Sequence, residues 1–281
     1  MAPALLAVLA AAATDYAGSG SSTLWSQFAG WELGMKRALP ADSDRLKAAA
    51  LMKRRGLVDC EKAVALLESA LKRSPEDPTL CYECAHALDA VMRIKTNSNT
   101  LHIKHMLDTP ANKKVWAMYG PRALSLAERA KAGLPNDPEA FLEYCNAFFF
   151  ANSVKGVLAA ATTGSGLKFK SNAKELIRRF PKLDGGVGHC YLGAFYLMAP
   201  WPLSSARLAK QHLRAAYNIV PSRRNCYYLG VMYYRLGEPD AAVPYFEQAL
   251  HARCNSPSER DFGEFILREA AEALKLIKSE T

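Results

Sequence analysis

No stretch of this sequence is long and apolar enough to cross a bilayer as a helix, which takes ~20 consecutive apolar residues. The apolar run from Met1 to Ala13 falls short of that and lacks a basic flank. It resembles the hydrophobic core of a signal or lumen-transfer peptide, with small residues near a cut at Ala13 or Ala17. A plain Ala-rich helix is the alternative. The first reading places the chain in an organelle lumen or an exported compartment, the second in the cytoplasm.

Strand-like alternation of apolar and polar residues is nearly missing from Asp44 onward. That leaves no strand to carry a phosphate loop or a dinucleotide fingerprint. Nucleophile-elbow and HExxH patterns are missing too. The chain therefore reads as a non-enzyme with no cofactor. The seven cysteines are an odd number, which excludes a fully paired disulfide framework, and they read as free thiols.

What is present is ordinary globular material. Hydrophobic residues make up 50% and charged residues 22%, enough apolar matter for a large core. Thirty-six Lys and Arg against 27 acids give a net charge of +9, which favours anionic partners. Beyond short clusters (Lys53-Arg54-Arg55, Lys168 to Lys170, Arg178-Arg179, Arg223-Arg224) the basic residues read as scattered over a solvated surface. No nucleic-acid partner is expected.

Four domain segments follow. Residues 1–17 are the targeting-like segment. Residues 18–43 hold a flexible joint, Gly18 to Thr23, and an amphipathic helix marked by Trp25, Phe28, Trp31 and Leu33. Residues 44–254 are a helical-repeat domain and 255–281 a C-terminal capping helix, with Phe262, Phe265, Ile266, Ala270 and Leu274 as its apolar face.

The repeats declare themselves by a small–large–small triplet at fixed distances before a proline. Ala63, Leu67 and Ala70 stand 12, 8 and 5 residues before Pro75. Ala209, Leu213 and Ala216 keep those intervals before Pro221, and Ala123, Ala127 and Ala130 keep them before Pro135 with alanine in the middle position as well. Ala242, Phe246 and Ala249 keep them before Cys254. The alanines let paired helices approach, the bulky residue fills the gap, and the proline ends the helix. Partner helices carry Leu229-Gly230, Tyr233 and Gly237, repeated as Leu192-Gly193 and Tyr196. Tyr144, Cys145 and Phe148, and Cys84, Ala85 and Leu88, fill the same slots further upstream.

This pattern resembles the tetratricopeptide repeat (TPR) family from about Asp44 to Cys254. The resemblance implies an all-α fold, an α-solenoid of about four to five TPR-like helix pairs with insertions and a C-terminal capping helix. The terminal prolines are spaced more widely than the family's period, which places insertions at Asn97–Tyr119 (with an extra helix from Pro110), Ala159–Ser171 and Ala199–Ser205. The stretch from about Leu124 to Cys254, with Phe180 to Gly186, His189 and the Pro200/Pro202 loop, looks like the T-component of TRAP transporters. Those are periplasmic TPR-like lipoproteins thought to assist ligand delivery to a membrane transporter. The lipobox cysteine of that family has no counterpart near this N-terminus.

In TPR arrays the first helix of each pair lines a concave groove. Carried over residue by residue, that resemblance selects Tyr82, His86 and Asp89, then Leu142, Asn146 and Phe149, then Arg224, Tyr227 and Tyr234. The function implied is an adaptor or scaffold gripping a protein or peptide, within a larger or membrane-associated complex. The alternative is a ligand-binding accessory protein of a transporter. The first requires the groove to be open rather than filled by the chain's own insertions.

Other motifs read as structure. Cys81 and Cys84 form a C-x-x-C inside a helix, with no second pair to complete a zinc site. His102, His105 and Asp108 are too sparse for a metal, and none is expected. Gly164-Ser165-Gly166 with Lys168 reads as a connector.

Overall fold

The computed structural model describes residues 40–99, 101–103, 109–156 and 164–280. The expected targeting segment, the Gly18 to Thr23 joint, the Trp25/Trp31 helix, His105 and Asp108 lie outside the described residues. The chain divides into two compact units at Ser43, and the account that follows concerns the second. Among the described residues there are twelve α-helices and no strand.

In chain order they are α1 (Pro40–Arg54), α2 (Leu57–Arg73), α3 (Pro78–Thr96), α4 (Pro110–Gly133), α5 (Pro138–Ser153) and α6 (Ser165–Arg179). There follow α7 (Val187–Met198), α8 (Ala206–Ile219), α9 (Arg223–Arg235), α10 (Pro239–His251), the single turn α11 (Pro257–Arg260) and α12 (Gly263–Glu280). From α2 to α10 each helix packs on the next, and α10 packs on α12. Alternate helices also touch: α3 with α5, α7 with α9, α9 with α12. This is an α-solenoid in which α3–α4, α5–α6, α7–α8 and α9–α10 are the complete pairs and α12 is the cap.

Local chemistry sets the boundaries. Asp77 and Asp137 cap α3 and α5, their carboxylates accepting from Leu80 N and Ala140 N, with Pro78 and Pro138 in the first turn. Ser205 and Ser222 cap α8 and α9 in the same way. Every residue of the four triplets is buried. Glycine supplies the room for the bulky member. A Cβ on Gly230 would stand 2.8 Å from the Phe246 ring, and one on Gly193 would stand 2.6 Å from Leu213 Cδ2.

The insertions differ from expectation in two places. The helix beginning at Pro110 is not an extra one: it runs unbroken through Pro121 to Gly133 and serves as the pair's second helix. The 159–171 stretch is helical from Ser165 onward. The third insertion, Ala199 to Ser205, is a loop that exposes Trp201. The C-terminal helix is split at Asp261–Phe262. Gly263 reopens it where a Cβ would meet Cys254 Sγ at 2.8 Å.

The first insertion also covers part of the inner face. Leu101 and Ile103 join one cluster with Tyr227, Val231, Ile266 and Ala270. His102 pairs with Glu269 at 2.6 Å, and Arg235 donates to the His102 carbonyl.

Candidate functional site

The inner face of the solenoid holds two neighbouring regions, one charged and one aromatic. The charged region ties the first turns of the array to its end. Asp261 accepts from Arg55 Nε at 2.7 Å and from Arg93 Nε at 3.0 Å, across separations of 206 and 168 residues. Arg93 also donates to Asp89 at 2.6 Å. All four side chains are almost wholly buried. Arg55 holds a left-handed backbone with φ 59°, which is unfavourable for a side chain this size. Its two ion-paired bonds to Asp261 compensate for that conformation.

His86 sits between Arg55 and Glu143. Arg55 Nη1 lies 3.0 Å from His86 Nε2, and His86 Nδ1 lies 2.8 Å from Glu143 Oε2. A guanidinium can only donate, so Nε2 must accept and Nδ1 carries the proton toward Glu143. The ring is therefore neutral, and burial with the positive Arg93 and Arg55 nearby holds its pKa down at about 3. Burial raises the Asp89 and Glu143 carboxyls, which interact with each other. One oxygen of each receives no donor from another residue. A single proton shared between them explains both observations. It also leaves two cations facing two anions.

The aromatic region is a pocket of about 190 Å³ between α5 and α7. Phe149, Phe169 and Tyr191 pack in series as tilted rings, with centroids 5.5 and 5.4 Å apart. Ala194, Phe195 and Met198 of α7 and Tyr228 of α9 continue the wall. Tyr191 donates to Asn146 Oδ1. Arg224 and Asp184 sit at the polar end, joined by a 3.0 Å bond, and Arg224 donates a further 2.6 Å bond to the Asp184 carbonyl. Asp184, like Arg55, has a left-handed backbone, φ 44°.

The nine groove residues selected from the sequence are distributed as follows. Asn146, Phe149 and Arg224 meet at the pocket. His86 and Asp89 belong to the charged region, and Tyr82 stacks on His86 at 5.8 Å. Leu142 is buried. Tyr227 is fully buried in the cluster that Leu101 and Ile103 complete, packed 5.9 Å from Phe246. Tyr234 lies apart, its hydroxyl donating to Glu280 at 3.1 Å.

Several contributors escaped sequence reasoning. Phe169 sits in a segment read as a connector. Tyr191 stands two residues before Gly193, and that register was available as a signal. Arg55, Arg93, Glu143 and Asp261 carry no local motif, because their partners lie far away in sequence. Cys81 and Cys84 are buried inside α3, and burial pushes the Cys84 thiol up to about 12. Among the described residues no group of three or more His, Cys, Asp or Glu could hold a metal ion.

No protein-family model matches the chain, and no curated protein matches it. Among solved structures it is similar to a thermophilic TPR protein of Thermus thermophilus, with 19% identity and a TM-score of 0.56. The match covers 83% of this chain and 98% of that one. At that identity the likeness shows the fold alone: this chain is built as a TPR-like helical solenoid.

Proposed function

We propose that the chain is a non-enzymatic TPR-like adaptor that holds a segment of a partner protein by inserting one apolar or aromatic side chain into the pocket between α5 and α7. The observation that carries this reading is the pocket's size and lining. About 190 Å³ is somewhat more than the ~150 Å³ of a dry engineered cavity that takes benzene. It is less than the ~300 Å³ at the lower end of drug-sized ligand pockets. A ring-sized anchor fits, with Asn146 and Arg224 at hand for the partner's backbone. Aromatic anchors in such pockets commonly dominate interface energies.

The direct test is to fill the pocket. Ala194, half-buried on its wall, is changed to Trp. Crosslinking capture by that variant is expected to fall at least tenfold while its melting temperature stays close to the native value. Undiminished capture would remove the pocket from the function. A second reading, a small-ligand accessory protein like the T-component, draws support from Leu101 and Ile103, which pack against Tyr227 and occupy part of the groove that a peptide would need. A metabolite that raises the melting temperature of the native chain, but not of Ala194→Trp, would favour it.

A further inference from the structure

The positive charge of this chain is concentrated rather than scattered. Between Gly164 and Val220 stand nine Lys or Arg and two acidic residues, which account for seven of the nine net charges. This stretch is α6, α7 and α8 with their connections. Its two acids are already engaged, Glu175 with Arg178 and Asp184 with Arg224. Among the described residues no acidic side chain pairs with Lys168, Lys174, Lys182 or Arg207.

The start of α6 and the end of α7 lie together. Lys170 sits 5.5 Å from the Phe195 ring and 5.0 Å from the Tyr196 ring, and Ser165 and Gly166 share the pocket wall with Met198 and Ala199. That end carries two large apolar side chains in the open, Leu167 at 50% exposure and Trp201 at 87%. Lys168 adjoins the first. Arg207, at the start of α8, follows the second by six residues and is exposed.

We propose that this rim, formed by Leu167, Lys168, Trp201 and Arg207, docks the protein on an anionic lipid surface. Trp is at home at the headgroup level, where its ring is half in apolar surroundings and half in polar ones. Leu167 enters beside it, and the cations pair with lipid phosphates. Two apolar side chains fall well short of the ~800 Å² per partner that a standard protein interface buries. An aliphatic Leu167 has no role on a nucleic-acid backbone. The helix ends supply rigidity, so little order has to be gained on docking. The proposal does not rest on the pocket's role, and either can fail without the other.

The test is co-sedimentation of the full chain with phosphatidylcholine vesicles, with and without phosphatidylserine. Binding is expected only with the anionic lipid and is expected to weaken with salt. Each cation at such a surface is worth about fivefold in partitioning, so Lys168→Glu with Arg207→Glu should lower it at least about 25-fold. Leu167→Ser with Trp201→Ser should lower it about tenfold, from lost apolar burial. All four positions are exposed, and melting curves check that each double variant folds. Equal binding to neutral and anionic vesicles, or native-like binding by both variants, would overturn the proposal. So would no binding at all, or binding to a single-stranded oligonucleotide in preference to vesicles.

Discussion

The last two repeats and the charged inner region solve the same problem by opposite means. Across α7 to α10 the chain is held by shape. Gly193 receives Leu213, Gly230 receives Phe246, and the flanking alanines are buried with them. Between α3, α5 and α11 it is held by charge. Five ionisable side chains and a neutral histidine replace the apolar filling there. Shape complementarity between neighbours repeats from pair to pair and so leaves a periodic trace. A charge network that joins residue 55 to residue 261 occurs once and leaves none.

The two regions should also fail differently. Asp261→Ala is expected to produce the largest loss, about 3–5 kcal/mol, because it leaves Arg55 and Arg93 buried without their common anion. Denaturant unfolding measures this. Adding Arg93→Met should cost less than the sum of the two single changes, since the second removes a charge the first has stranded. Strict additivity would mean that the two side chains do not share an interaction. In the shape-held region Gly230→Ala should cost about 1–3 kcal/mol, as overpacking against the Phe246 ring does. In an open helix the same change would gain about 1 kcal/mol from propensity. A stabilised Gly230→Ala variant would therefore contradict the close approach itself.

How legible each region was follows from this difference. The helix pairs, their terminators and the triplets could be read directly, because Ala209, Leu213 and Ala216 obey spacings fixed by neighbours in sequence. The insertions were harder. Pro110 looks like a helix start and is one, but nothing local tells that the helix continues past Pro121 into the repeat. Pro at an interior position normally breaks a helix, yet α4 passes through Pro121 without a break. The candidate site was legible only where one helix determines it. Asn146, Phe149 and Arg224 follow from helical slots, and the structure brings these three to one pocket. Tyr227 follows from the same rule, yet Leu101 and Ile103 cover it from a segment more than 120 residues away in sequence. Long-range cover of that kind has no signature in a single helix.

The smallest effect tests the shared proton, and its sign is what matters. Asp89 and Glu143 have native carboxyl pKa values raised by burial, so over a range above the ordinary carboxylate value the native state holds a proton that the unfolded chain has released. Their contribution to stability is full below that ordinary value. It is lost as pH rises toward the native one. His86 acts in the opposite direction. Its native pKa of about 3 lies under the unfolded value, so its contribution is present above about pH 6.5 and is lost as pH falls toward 3. Asp89→Asn separates the two. The amide oxygen still accepts from Arg93, while the amide N–H replaces the shared proton facing Glu143. The variant should keep the acid-side loss from His86 and flatten the decline on the alkaline side, so that it gains stability relative to the native chain as pH rises. Melting temperatures from pH 4 to 9 give the comparison. A native decline that persists unchanged in Asp89→Asn would assign it to other groups and leave both carboxylates ionised. The charged region would then carry an unbalanced negative charge that the shape-held repeats do not.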